Sequence, residues 1–236
     1  MADARVRGRF PALLTILAAA AFVVLCGLGA WQVQRLRWKE DLIARAAAAQ
    51  AAPPAPLAEV LRAADPEFRR VRLDCPGLAT APFVELHTIE QGGAGVRLIS
   101  ACRPVGLVVT VLVDRGFVAE TISARPPEAA SAAVTSLTGV LRTPAEANSF
   151  TPPTSGRLFF SRDHGAMARA LGVTGPVDAR VVFAETSTNP EWLALRPSAP
   201  PPAFRNNHLG YAITWFGLAA ALLGVYLSML RQRRRR

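Results

Sequence analysis

Lysine is all but missing from this chain of 236 residues: Lys39 stands alone, and the other basic residues are all arginine. Histidine and cysteine occur three times each and tyrosine twice. These shortages exclude several kinds of chemistry. His87, His164 and His208 lie far apart and form no HExxH or HxxEH pattern, so no zinc-hydrolase signature is present. His87, in a strand pattern, and His164, beside Asp163 at a polar helix start, read as surface or structural residues. GxSxG and SxxK nucleophile motifs are also lacking. The glycines around Gly92 have no following Gly-Lys pair and open no helix, so they mark a hairpin turn rather than a phosphate cradle. An enzyme carrying its own catalytic cluster is not indicated.

Charge is scarce where it would matter for nucleic acid. Of the net +10, the first nine residues hold +2 and the last six +5, which leaves +3 for everything between. No basic face interleaved with aromatics remains, and nucleic-acid binding is discarded. The basic ends are topology signals instead.

Two long runs have no charge at all. The first, Pro11 to Trp31, follows Arg5, Arg7 and Arg9 and is too long for the apolar region of a signal peptide. Cleavage after Ala30 and lipid attachment at Cys26 are the alternatives, but Leu25 occupies the position where a lipobox has Gly or Ala, and an uncleaved helix is favoured. The second run, His208 to Leu230, gives about 33 Å from Leu209 at 1.5 Å per residue, the thickness of a bilayer's hydrocarbon core. Asn206 and Asn207 can cap its first turn. Arginines before the first helix and after the second place both ends on the cytoplasmic side.

On the second helix, taking His208 as zero at 100° per residue, Trp215, Leu222 and Tyr211 fall at about −20°, −40° and −60°, one stripe. Gly210, Gly217 and Gly224 occupy the opposite face, which is expected to receive the first helix through its small residues Ala18 to Ala21, Gly27 and Gly29. The His, Tyr and Trp stripe is then left for a ligand, a lipid interface or another protein. Tyr211 also suits an interfacial belt, and His208 a hydrated position next to a helix cap. After the first run the helix continues unbroken, with Trp31, Arg35 and Trp38 on one face. The tryptophans read as interfacial anchors and Arg35 as a snorkelling or ligand-facing cation; with Lys39 it can neutralise carboxylates of a bound ligand.

Between the runs, period-2 alternation predicts strands from Phe68, Ala81, Val96, Gly106, Ser136 and Asp178, with the apolar Gly106 to Val118 stretch at the centre. Short helices are predicted before Asp65 and from Ser161, and a Pro-rich tether from Ser198 leads back to the membrane. Cys75 and Cys102 lack CxxC spacing. They read as unpaired small hydrophobic residues, with one disulfide as the alternative in an oxidising compartment. The expected organisation is a cytoplasmic N-terminus over 1–10, a membrane helix over 11–31, a periplasmic domain over 32–205, a second membrane helix with its capping turn over 206–230 and a basic tail over 231–236. The fold class is α+β: two transmembrane helices, N- and C-terminal, bracketing a β-rich extracytoplasmic domain built as an antiparallel sheet or small open barrel.

Several runs taken together, GLGAWQVQRLRWKEDLI from Gly27, EFRRVRLDCPG from Glu67, VLVDRGFV from Val111, LTGVLRTP from Leu137, FFSRDHGAMARALG from Phe159 and NNHLGYAITWF from Asn206, resemble the successive signatures of the surfeit locus protein family, in its bacterial form. Phe117 departs from the Trp of many relatives, and CPG around Cys75 replaces a simpler Gly turn. The resemblance implies an assembly factor for cytochrome c oxidase in the bacterial inner membrane, not an enzyme. It also implies heme a binding and delivery to the oxidase catalytic core subunit, with heme A synthase a further partner besides membrane lipid. His208 is the heme ligand this resemblance implies, through the NNHLGYAITWF run. Trp215 and Tyr211 on the same helix, and Arg35 and Lys39 toward the propionates, complete the expected site. The competing expectation is a membrane scaffold that holds assembly intermediates without touching heme.

Overall fold

The computed structural model describes residues 12–90, 93–144, 152–198 and 206–235. The N-terminal arginines, Gly92, most of the Pro-rich return after Ser198 and Arg236 lie outside the described residues. The chain divides into two compact units, one of residues 1–44 and 203–236, the other of residues 45–202.

The helical unit contains the ends of the chain. Helix α1 (Ala12–Ala51) has no internal proline and runs unbroken to a residue just before Pro53 and Pro54, which cannot continue a helix. Helix α4 (His208–Arg235) begins where Asn206 Oδ1 accepts from the His208 N–H at 3.5 Å. Both helices are long and apolar enough to cross a membrane. Their outer faces are open, with Leu13, Ile16, Val23, Ile213 and Val225 exposed, and apolar surface of that extent needs lipid rather than water.

The sheet unit has α+β architecture. Its strands are β1 (Ala55–Pro56), β2 (Arg70–Pro76), β3 (Val84–Glu90), β4 (Gly93–Cys102), β5 (Thr110–Ala119), β6 (Val134–Arg142), β7 (Leu158–Phe159) and β8 (Val177–Ala184). Helices α2 (Leu57–Val60) and α3 (His164–Ala170) are short. The spatial order is β1-β2-β6-β8-β5-β4-β3-β7. Each strand expected from alternation is present, and two-residue strands, too short for any periodicity to reveal, extend both edges. The sheet is mixed rather than wholly antiparallel: β1 with β2, β5 with β8 and β3 with β7 run parallel among four antiparallel pairs.

Strand β5 lies inside the sheet and is buried on both faces, as its Val-Leu-Val run requires. Val111 and Val113 pack with Leu73, Cys75, Leu137 and Val182. Leu112 points the other way, to Leu86, Phe159, Met167 and Phe183. Cys75 and Cys102 form a disulfide with Cα atoms 5.7 Å apart, which corrects the expectation of unpaired residues. They belong to β2 and β4, with β6, β8 and β5 between them. Four strand spacings in a flat sheet would be about 19 Å, so the sheet curls strongly, in the manner of an open barrel. The backbone agrees: Val105 N–H donates to the Asp74 carbonyl at 2.9 Å.

The DRGF run sits where β5 bulges against β4. Leu98 pairs with Gly116 and Ile99 with Asp114, so Arg115 is the extra residue. Gly116 has φ 132°, and a Cβ there would strike the Arg196 carbonyl. Asp114, fully buried, accepts from Arg97 Nε at 2.7 and 2.8 Å and lies 2.9 Å from Arg162 Nη1. Arg97 also pairs with Glu90. DRGF and SRDHG therefore meet through Asp114 and Arg162. Arg115 is also fully buried; it donates to the Ala79 carbonyl at 2.7 Å and Thr188 Oγ1 at 3.1 Å. Burial lowers its guanidinium to about 10, which leaves it charged at neutral pH. In α3, Asp163 caps the helix by accepting from Ala166 N–H at 2.9 Å. Burial lowers the His164 imidazole below its ordinary value, an effect that the Arg180 backbone, Asp178 and Asp163 reduce. His87 is exposed beside the Phe160 ring.

Candidate functional site

The candidate site lies in the helical unit, where α1 and α4 run antiparallel. Along α4 the covered residues include His208, Ala212, Trp215, Ala219, Leu222 and Tyr226, with Met229 and Leu230 beyond them, and along α1 they include Thr15, Ala18, Phe22, Leu25, Gly29, Gln32 and Leu36, with Cys26, Leu28 and Val33 partly covered beside them. Alternating steps of three and four are the 3.5-residue repeat of a left-handed helix pair. Ala212 and Ala219 are almost wholly buried. Gly29 admits the Phe216 ring so closely that a Cβ there would stand 2.7 Å from Cε1 and Cζ.

This seam is not the one that the glycines of α4 suggest. A Cβ at Gly210, Gly217 or Gly224 would meet nothing within 4 Å. The helices instead meet along the stripe that carries His208, Trp215 and Leu222. The physical reason is polar satisfaction. Thr15 and Tyr226 pair through their hydroxyls at 2.7 Å, and His208 Nδ1 pairs with Gln32 Oε1 at 2.6 Å. In a medium without water, groups like these need each other more than glycines need contact.

The other residues named from the sequence lie along or beside this seam. Trp215 is half-buried in it, two turns beyond His208, and Tyr211 is 57% exposed on its flank. Arg35 is gripped between two indoles, its Cζ 5.9 Å from the Trp31 ring and 5.3 Å from the Trp38 ring. Lys39, one turn further along α1, is half-buried. Between Leu222 and the start of α1, Thr15, Ala18, Ala19, Phe22, Val23, Leu223 and Tyr226 complete an apolar crevice of about 250 Å³. Among the described residues no three His, Cys, Asp or Glu side chains converge as a metal site would require. What this geometry offers is one imidazole, held by an amide, at the mouth of a helix pair.

Comparison with known proteins gives the family. The model of the SURF1 family matches residues 19–220. The chain belongs to the SURF1 family. Rat Surfeit locus protein 1 is 30% identical over 235 residues, covering 88% of this chain and 71% of the rat protein. Human Surfeit locus protein 1 is likewise 30% identical, with 89% and 73% covered. A SURF1-like protein of Drosophila melanogaster is 31% identical, with 83% and 70% covered. SURF1 proteins are known as assembly factors for cytochrome c oxidase. The SURF1 match takes in both halves of the site, from Gln32, Arg35 and Lys39 on α1 to His208, Tyr211 and Trp215 on α4.

Gln32 is a candidate site residue that the motifs do not single out, although it lies inside the GLGAWQVQRLRWKEDLI run. A signal for it was present. Thr15 and Gln32 are separated by about 26 Å of helix and His208 and Tyr226 by about 27 Å, at 1.5 Å per residue. Two antiparallel helices can therefore pair all four polar side chains at once.

Proposed function

We propose that this protein holds heme a during maturation of cytochrome c oxidase and passes it to the catalytic core subunit. The observation that carries the reading is the half-buried imidazole of His208 at the start of α4, with Nδ1 engaged by Gln32 at 2.6 Å. A neutral imidazole so engaged keeps a second nitrogen for iron. The residues fit a heme with one protein ligand. Trp215 and Tyr211 would flank the ring, the apolar crevice by Leu222 would suit an aliphatic tail, and Arg35 and Lys39 would receive the propionates. Heme a itself supplies the redox-active iron that the oxidase will use. The chain's part is to bind, orient and release it, with no bond made or broken in a substrate.

A single imidazole suits a carrier, because a cargo held by one axial bond leaves when a partner offers a better ligand set. In this reading the chain sits in the bacterial inner membrane with both ends cytoplasmic and the sheet unit periplasmic, since basic residues flank α1 and α4 on the outer sides of the sequence. Heme A synthase is the partner on the supply side, and membrane lipid surrounds the helix pair. The test is affinity capture from solubilised membranes of cells that make heme a. The account expects both heme and the oxidase core subunit in the eluate. Capture of the core subunit by a protein that never carries heme would establish the scaffold reading instead.

A further inference from the structure

We infer that Gln32 is a positioning residue, one that fixes which nitrogen of His208 is presented to a metal; this rests on the heme reading above. An amide oxygen accepts hydrogen bonds and donates none, so at 2.6 Å from Gln32 Oε1 the His208 Nδ1 carries the proton. A neutral ring protonated on Nδ1 has its lone pair on Nε2. The tautomer is therefore set by α1, and the ligating atom is carried by α4.

Several features hold the pair in place. Gln32 is 8% exposed, so water does not compete for its oxygen. The Thr15–Tyr226 bond at the far end of the seam and the close seat of Phe216 on Gly29 fix the register of the two helices. Asn206 holds the His208 backbone from the other side. Imidazoles that bind metals are oriented in this way by a partner on the remote nitrogen, and loss of such a partner commonly weakens metal affinity by about 10- to 100-fold. Glutamine supplies the acceptor without bringing an unpaired charge to the membrane surface. Heme occupancy thereby becomes coupled to helix pairing, since a shift of α1 against α4 removes the acceptor from the ring.

The first experiment needs no heme. In detergent-solubilised protein with ¹⁵N-labelled histidine, long-range ¹H–¹⁵N correlation identifies the tautomer of each ring, and the His208→Ala variant assigns His208 against His87 and His164. The expected result is a single Nδ1–H tautomer for His208 in the parent protein and exchange between tautomers in Gln32→Leu. A His208 spectrum unchanged in Gln32→Leu overturns the inference. The second experiment measures heme content and reduction potential after production in cells that make heme a. Gln32→Leu should lose about tenfold or more in heme affinity, and Gln32→Glu, which retains an acceptor at the same reach, should keep its heme at a lower potential. Full heme with unaltered spectrum and potential in both Gln32 variants, while His208→Ala is colourless, overturns the positioning role and leaves the heme reading intact. Heme retained in His208→Ala overturns the heme reading itself, whatever the tautomer shows.

Discussion

Cys75 and Cys102 are joined by a disulfide although three strands separate them in the sheet, their Cα atoms 5.7 Å apart. The bond ties β2 to the end of β4 and closes the curl around Val111, Val113 and Leu137.

The bond spans a sequence separation of 27, and a loop of that length corresponds to about 3 to 4 kcal/mol of chain-entropy stabilisation. Replacing both cysteines by alanine should lower the unfolding free energy of the sheet unit by that amount, read as the drop in denaturant midpoint multiplied by the slope m. Unfolding curves of the parent protein with and without reductant check it, and coincident curves would show that the closure does not depend on the bond.

The buried Asp114 carboxylate lies between two guanidinium groups, the buried Arg97 and the partly buried Arg162. Asp114→Asn keeps the shape and removes the charge, so Arg97 retains only Glu90 and Arg162 loses its carboxylate. A loss of about 3 to 5 kcal/mol is expected, the cost of an uncompensated buried charge. Thermal unfolding measures it. A shift within error would mean that water reaches the arginines.

The helix seam predicts opposite outcomes for two glycines. Gly29→Leu should drive Phe216 out of its seat and abolish crosslinking between cysteines engineered along the seam. Gly217→Leu, facing open space, should leave crosslinking intact. The reverse pattern would restore the glycine face of α4 as the contact surface.

His164 gives the sheet unit a dependence on pH. Its folded value lies below the ordinary 6.5 because burial disfavours the charged ring, so between the two values the unfolded chain binds more protons. Stability is unaffected by this group above 6.5 and falls as pH drops through that window. Denaturant titrations of the parent protein and His164→Gln from pH 7.5 to pH 5 should show the variant with the shallower decline. Parallel declines would assign the effect elsewhere.

Much of the fold is legible in the sequence because it rests on local periodicity. The alternation of Val71, Leu73 and Cys75 marks a strand, the uncharged run after His208 marks a helix, and both form as expected. Parallel pairing of β5 with β8 is not legible, since nothing in either strand records a partner so distant in sequence. The disulfide is only an alternative in the sequence for the same reason: it depends on the curl that brings β2 to β4. The helix seam differs from the glycine face because polar residues, and not only small ones, decide where the helices meet. Gly217 and Gly224 are conspicuous by size, whereas Thr15, Gln32, His208 and Tyr226 give the register only through their matched spacing on two helices. His208 itself stood out through its motif, and its partner did not.

The most direct test of the central claim is an absorption spectrum, oxidised and reduced, of the detergent-purified protein from cells that make heme a, beside that of His208→Ala. The account predicts a heme a spectrum in the parent protein and its loss in the variant. A colourless parent protein, or a variant whose spectrum matches the parent's, would contradict it.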